Sequence, residues 1–179
     1  RDRTNADRLP GITLDPAITA SADPERLRDA GIWLLATPAQ EMRTTLARFA
    51  AIAGPGRRIV ITAKGIERST GKFLSQALIE IVPDAEPLVL SGPSFAGDVA
   101  RGLPTAVTLA AHTLDIARPV AEALSQPAFR PYISDDLIGV EIGGAVKNVL
   151  AIACGAVTGL GLGDSARAAL IARAFAELS

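Results

Sequence analysis

The sequence predicts an α/β fold in which a mainly parallel sheet carries helices on both faces and is followed by an all-helical segment. Short apolar runs bounded by turn residues alternate with stretches of helical periodicity along most of the chain, as in domains built around a parallel sheet. From Asp135 onward this alternation stops, and Ala, Gly and Leu dominate. We therefore expect one domain over residues 1–134 and the start of a helical domain over residues 135–179.

The individual elements have local signals. Ile12 and Leu14 alternate with polar residues and predict a short strand, and Asp23 before Pro24 predicts a helix that runs to about Asp29. Continuous apolar runs predict four further strands, at Ile32–Ala36, Arg58–Thr62, Leu88–Leu90 and Thr105–Ala110. The first of these four is expected to be buried on both faces. Helices are predicted around Met42, Leu46, Phe49 and Ile52, and over Gly71–Val82 and Leu114–Leu124.

The most apolar region of the chain is Leu137–Gly163. Glu141, Lys147 and Asn148 interrupt it, and its longest uninterrupted run is shorter than the roughly 20 residues that a membrane helix needs. We therefore expect a buried helix and no membrane span. The glycines of Gly159–Gly163, before Asp164, predict a turn between two helices.

Bulk properties narrow the range of partners and locations. The net charge of −1 over 179 residues gives no reason to expect nucleic acid or an anionic membrane as a partner. Cys154 is the single cysteine, and no leader pattern is recognisable, so we expect a cytoplasmic protein. A homodimer is compatible with the sequence.

Three loops are expected to line one edge of the sheet. Ala36–Pro38, Thr62–Gly65 and Ser91–Ser94 each follow a predicted strand directly. Ligands of open parallel sheets bind beyond the carboxyl ends of the strands. These loops therefore predict a ligand site.

Four residues could bear chemistry, three of them in the loops of this edge. Lys64 could reach into the cleft, although an ordinary solvated lysine explains it slightly better. Gly92 would let a ligand approach the backbone, and Ser94 could bind a ligand or simply cap a helix. Lys147 is the strongest candidate, because small and apolar residues surround it; we expect it to be buried or to line the cleft between the α/β domain and the helical segment. A buried lysine near a second lysine readily gives up its proton, whereas pairing with a carboxylate or contact with water would make it structural.

Together these segments resemble the bacterial-type NAD(P)-dependent glycerol-3-phosphate dehydrogenases. The resemblance runs from Arg3 to Glu177, in the same order and spacing. Its most specific parts are Thr62–Gly65, Ser91–Ala96 with Ala100–Thr105, Gly139–Glu141 with Gly143–Asn148, Gly163–Ser165 and Ala168–Arg173. The family has a Rossmann-like domain followed by a helical substrate domain.

The resemblance implies an oxidoreductase that interconverts sn-glycerol 3-phosphate and dihydroxyacetone phosphate with NAD or NADP, and so supplies glycerol phosphate for phospholipid synthesis. Lys147 would be the catalytic proton carrier and would also bind substrate. Lys64, Gly92 and Ser94 would contact the phosphorylated triose or glycerol. The cofactor would contact Lys64, Ala96, Thr37 and Pro38. No metal ligand is expected.

The chain also departs from the family pattern. Family members carry a Gly-x-Gly-x-x-Gly turn ahead of the segment that matches Arg3, and an aspartate and a Ser-Arg-Asn segment beyond the one that matches Glu177. We expect the isolated chain to bind cofactor poorly without them. Asp98 and Ser165 replace the usual Glu and Asn. A related reductase, of the β-hydroxyacid dehydrogenase or ketopantoate reductase type, and an inactive binding or structural fragment are the alternative interpretations.

Overall fold

The computed structural model describes residues 3–178. Its strands are β1 Thr4–Asn5, β2 Leu9–Thr13, β3 Ile32–Leu35, β4 Arg58–Ile61, β5 Glu86–Ser91, β6 Thr105–Ala111 and β7 Phe129–Ser134. Its helices are α1 Met42–Ala47, α2 Leu74–Ile81, α3 Ala96–Ala100, α4 Leu114–Leu124, α5 Leu137–Gly159 and α6 Gly163–Leu178. Short 3-10 helices lie at Pro24–Leu27, Ala39–Glu41 and Ala50–Ile52.

One five-stranded sheet organises the first part of the chain, in the order β3-β4-β5-β6-β7. All neighbouring strands in it are parallel except β5 and β6, which are antiparallel. β1 and β2 form a separate antiparallel pair. The predicted α/β class with a mainly parallel sheet is therefore confirmed.

Alternating side chains of the central strands place helices on both faces of the sheet. In β4, Ile59 and Ile61 belong to the core cluster that includes residues of α1 and α2, whereas Val60 belongs to the cluster packed under α4. All three side chains are fully buried. Because successive residues of a strand point to opposite faces, a continuous apolar run is what such a strand requires.

Several element predictions differ from the structure in detail. The helix predicted from Asp23 is a single 3-10 turn, Pro24–Leu27. The helix that carries Met42 and Leu46 ends at Ala47, so Ile52 lies in a separate 3-10 turn. The helix predicted from Gly71 begins at Leu74, because Gly71 has a positive φ of 71° and lies in the preceding turn.

Two strands at the edges of the sheet behave differently from the prediction. β3 is an edge strand, and Leu34 is 53% exposed, so the expectation that this strand is buried on both faces is wrong for the described chain. β7 was not predicted, and it forms the opposite edge. Pro131 makes β7 hard to recognise in the sequence, because proline is rare within strands. It is tolerated here because β7 is an edge strand.

The long helix α5 is mostly exposed, so the prediction of a buried helix is wrong for this structure. Leu137 and Gly144 are buried at its start, but Val149 is 62% and Ile152 is 74% exposed. By length and composition α5 could cross a membrane, and 17% of its apolar stretch is buried. The predicted turn before α6 is confirmed, since α5 ends at Gly159 and α6 begins at Gly163.

Candidate functional site

The carboxyl ends of β3, β4 and β5 meet at one edge of the sheet. Leu35 pairs with Ile61, and Ile61 pairs with Val89, so the loops that follow these parallel strands leave the sheet side by side. The first turns of α5 lie against the end of β5. This arrangement brings residues 140–147 to the loops that follow β4 and β5.

A cleft of about 350 Å³ lies between the end of β5 and α5. We call it the lysine cleft; its lining residues are Ser91, Gly92, Pro93, Thr108, Val140, Gly143, Gly144 and Lys147. A much smaller cavity adjoins it and is lined by Ala63, Lys64, Gly65, Val89, Ser91, Val140, Glu141 and Gly144. Because Ser91, Val140 and Gly144 border both cavities, Lys64 and Lys147 approach the same wall from two sides.

The two lysines have different surroundings. Lys64 is half-buried, and its pKa is lowered, first by burial and then by the positive charge of Lys147. Lys147 lines the cleft, which is the second of the two predicted placements, and its side chain is exposed rather than buried. The residues around Lys147 in α5 are mostly apolar, but few other residues of the described chain pack over this part of the helix.

Gly144 borders both cavities, and its missing side chain leaves room for Ser91 and Lys64 beside the helix. A Cβ atom at this position would lie 3.0 Å from the Ser91 Oγ and 3.5 Å from the Lys64 Cγ. Even an alanine would therefore press on the Ser91 hydroxyl, whereas it would meet the Lys64 side chain at an ordinary contact distance. The close approach is at Gly144 and not at its neighbour, since Gly143 has nothing within 4 Å of its Cβ position.

Gly92 is required by the sheet itself. Its φ is +154°, and a Cβ atom there would lie 3.0 Å from the Val107 Cα and 3.1 Å from the Ala106 carbonyl oxygen. A side chain would collide with the backbone of β6, which cannot move aside cheaply. Gly92 therefore lets the loop after β5 turn closely over β6 at the floor of the lysine cleft.

The loop that carries Lys64 is held to the helix that follows β3. The Gln40 Nε2 donates to the Ile66 carbonyl oxygen at 2.9 Å, and the Gln40 Oε1 accepts from the Arg68 N–H at 2.9 Å. Arg43 donates two hydrogen bonds to the buried Glu67 carboxylate, at 2.7 and 2.8 Å. These contacts restrain the Lys64 loop relative to the Thr37–Pro38 turn.

Ser94 and Ala96 lie just beyond the cleft. The Ser94 N–H donates to the Gly92 carbonyl oxygen at 3.0 Å, and Ala96 is the exposed first residue of α3. Phe95 occupies the cap position of that helix, so Ser94 is not its N-cap. Neither Ser94 nor Ala96 lines either of the two cavities in the part of the chain that the structure describes.

Thr37 carries an unsatisfied polar atom at the same sheet edge. Its Oγ1 is buried and has no hydrogen-bond partner within the part of the chain that the structure describes. Thr37 follows β3 and lines an apolar cavity of about 280 Å³ with Trp33 and Phe49. Pro38 is exposed beside it. A buried hydroxyl without a partner is costly, so this position suits a ligand with a polar group.

Two residues that sequence reasoning did not single out belong to this region. Ser91, the last residue of β5, borders both cavities, and its position at a strand end was the available signal. Glu141 interrupts an apolar run in the sequence and is part of a resemblance segment, without a predicted role of its own. A charged residue within an otherwise apolar helix is typical of a buried polar contact, and Glu141 is only 6% exposed.

Family models match both parts of the chain. The model of the NAD-dependent glycerol-3-phosphate dehydrogenase N-terminus matches residues 1–117, and that of the corresponding C-terminus matches residues 136–179. The chain is 53% identical over 175 residues to a glycerol-3-phosphate dehydrogenase, NAD(P)+, of Paramagnetospirillum magneticum, covering 98% of this chain and 64% of the relative. It is likewise 53% identical over 171 residues to that of Parvibaculum lavamentivorans, covering 96% and 51%.

A solved structure has the same fold over nearly the whole chain. The glycerol-3-phosphate dehydrogenase of Coxiella burnetii superposes with a TM-score of 0.89 at 34% identity, covering 99% of this chain and 55% of the other. The chain thus spans between about half and two thirds of the length of these relatives.

Proposed function

The chain belongs to the NAD-dependent glycerol-3-phosphate dehydrogenase family, and we propose that it carries the lysine-bearing part of an enzyme that interconverts sn-glycerol 3-phosphate and dihydroxyacetone phosphate with NAD or NADP. The observation that carries the proposal is the lysine cleft. Lys64 and Lys147 are 83 positions apart in sequence, yet both border the wall formed by Ser91 and Gly144. Two cationic side chains on either side of this shared wall suit a phosphorylated substrate.

Each candidate residue has a role in this proposal. Lys147 gives a proton to the carbonyl oxygen when dihydroxyacetone phosphate is reduced and takes it back on oxidation. Lys64, Gly92 and Ser94 bind the substrate, and the charge of Lys64 favours the phosphate end. The exposure of Lys147 at the mouth of the cleft leaves its ammonium accessible to a ligand.

The nicotinamide ring, when bound, would supply or accept the hydride. Lys64, Ala96, Thr37 and Pro38 would hold the cofactor, and the unpartnered Thr37 hydroxyl fits that role because it offers a hydrogen bond that the described chain leaves unused. The protein itself positions the reactants and moves the proton.

We further propose that residues 1–134 belong to the cofactor-binding domain and residues 135–179 to the helical substrate domain. β7 ends at Ser134 and α5 begins at Leu137, which supports this division. The product, glycerol phosphate, would serve phospholipid synthesis in the cytoplasm, and the partners would be small molecules.

Turnover tests this proposal. The complete open reading frame that contains this chain is purified and supplied with NADH or NADPH, and with dihydroxyacetone phosphate, ketopantoate or the keto form of a β-hydroxyacid. We expect cofactor oxidation with dihydroxyacetone phosphate only. Preference for ketopantoate or a keto acid would assign the chain to a related reductase, and no turnover with any of them would favour the inactive-fragment interpretation.

A further inference from the structure

A buried carboxylate joins the helix of Lys147 to the α/β domain. The Glu141 Oε1 accepts from the backbone N–H of Ser75 at 3.0 Å, and its other oxygen accepts from the Ser75 hydroxyl. Glu141 is 6% exposed and Ser75 is 4% exposed, so water competes little for these bonds. The two residues are 66 positions apart in sequence.

Ser75 is the second residue of α2, so Glu141 also lies at the N-terminus of that helix. The first amides of a helix lack partners within it, and the N-terminus carries a partial positive charge. Glu141 satisfies one of these amides and places a negative charge where the dipole of α2 favours it. No lysine or arginine forms an ion pair with Glu141 in the described residues.

The Glu141 contact is the main polar connection between α5 and the rest of the molecule. Within residues 3–178, the two bonds to Ser75 are the side-chain hydrogen bonds that tie α5 to another element. The remaining contacts of its first turns, from Leu137 and Val140, are apolar. Apolar packing alone tolerates small rotations, whereas two hydrogen bonds to a helix end specify one orientation.

The rotation of α5 decides where Lys147 points. Val140, Gly144 and Lys147 are spaced four and three residues apart, so they share one stripe of the helix, and all three line the lysine cleft. Glu141 lies next to this stripe, about 1.7 turns before Lys147 by the 3.6-residue repeat. A rotation of α5 about its axis would carry the Lys147 side chain away from Lys64.

We infer that Glu141 is a positioning residue that, through its hydrogen bonds to Ser75 at the start of α2, sets the orientation of α5 and thereby holds Lys147 opposite Lys64. This inference rests on the proposed function for its kinetic consequence only. The placement of the two lysines can be measured without any turnover.

Two variants test the inference in the complete open reading frame. Glu141→Gln keeps one acceptor for the Ser75 N–H and removes the other, and Ser75→Ala removes the hydroxyl while leaving the carboxylate. Val120→Ala is the matched control, because Val120 is fully buried in the cluster under α4, away from the cleft, and its truncation destabilises the fold without touching α5.

The measurements are kcat and KM for dihydroxyacetone phosphate, the melting temperature, and the yield of a Lys64–Lys147 cross-link formed by a short amine-reactive reagent. We expect both variants to lower the cross-link yield and to lower kcat, by up to about 100-fold, since small displacements of a reacting group cost that much. KM should change little. The double variant should be no worse than Glu141→Gln alone, because the two changes remove one interaction.

Val120→Ala should lower the melting temperature and leave kcat and the cross-link unchanged. If Glu141→Gln and Ser75→Ala lower only the melting temperature, Glu141 is merely structural and the inference is overturned. If the wild-type protein does not turn over dihydroxyacetone phosphate, the proposed function fails, and the cross-link yields alone still decide whether Glu141 positions Lys147.

Discussion

At the scale of single residues, the half-buried Lys64 and the exposed Lys147 lie on either side of one wall of the cleft. The pKa of Lys64 lies below its ordinary value because burial disfavours the charged ammonium and Lys147 repels it. A phosphate-bearing ligand would offset that repulsion. We therefore expect ligand binding to raise the pKa of Lys64.

The lowered pKa of Lys64 has a consequence for stability. Because the pKa in the folded chain lies below the ordinary value of 10.5, protonation of Lys64 opposes folding below the folded pKa, and this penalty disappears as the pH rises to 10.5. Lys64→Met should therefore modestly raise the free energy of unfolding at neutral pH, with a difference that shrinks in alkali.

Denaturant unfolding over a pH series measures this difference, and Lys72→Met is the matched control. Lys72 pairs with Glu80, so its loss should not stabilise the chain. Inorganic phosphate should stabilise the wild type more than Lys64→Met. A Lys64→Met chain that is less stable than the wild type at neutral pH would contradict the assigned burial of the charge.

Gly144 gives a second prediction at this scale. Gly144→Ala should destabilise the chain by about 1–3 kcal/mol, because the new methyl group presses on the Ser91 Oγ. Gly143→Ala, which has open space, should instead stabilise it by up to about 1 kcal/mol through helix propensity. Ser91→Ala should restore most of what Gly144→Ala loses. Equal effects at the two glycines, by thermal or denaturant unfolding, would disprove the close packing of α5 on β5.

At the scale of elements, ion pairs between side chains hold the loop after β4 in place. Glu67 is 5% exposed, and hydrogen bonds from Arg43 and then Thr70 lower its pKa to about 2. Arg43 also pairs with Glu80 at 2.7 Å, which links the loop to α2. The Lys64 loop is therefore fastened on both sides.

The depressed pKa of Glu67 predicts an acid-sensitive contribution to stability. A carboxylate whose folded pKa lies below the ordinary 4.5 stabilises the fold above pH 4.5, and this stabilisation is lost as the pH falls from about 4.5 to about 2. Glu67→Gln should be less stable at neutral pH and should show a shallower pH dependence in that window. Unfolding measured between pH 2 and pH 7 would show it, with Glu25→Gln in an exposed pair as the control. If Glu67→Gln leaves the pH dependence of the unfolding free energy unchanged, then the ion pair with Arg43 does not stabilise the fold.

The sheet edge was accessible to sequence reasoning because parallel strands have a strong local signal. β4, β5 and α4 lie where their apolar patterns place them, and the loops that follow β3 to β5 meet as expected. The sequence does not predict β7, because Pro131 interrupts a short segment that has no continuous apolar run.

At the scale of the whole molecule, the site depends on contacts that no local pattern encodes. Glu141 reaches Ser75 across 66 residues, and Lys147 is exposed rather than buried because apolar neighbours in a helix need a second element to cover them. Ser91 lies between the two lysines because of the way α5 is rotated against β5, and the sequence does not specify that rotation.

Lys147 is proposed to move the proton in the cleft between β5 and α5. Lys147→Ala in the complete open reading frame tests it most directly, by steady-state kinetics with dihydroxyacetone phosphate and NAD(P)H, with Lys72→Ala as the control. Because the proton moves in the transition state, we predict that kcat falls by at least about 100-fold, with KM little changed. A loss confined to KM, or a kcat equal to that of Lys72→Ala, would contradict the claim.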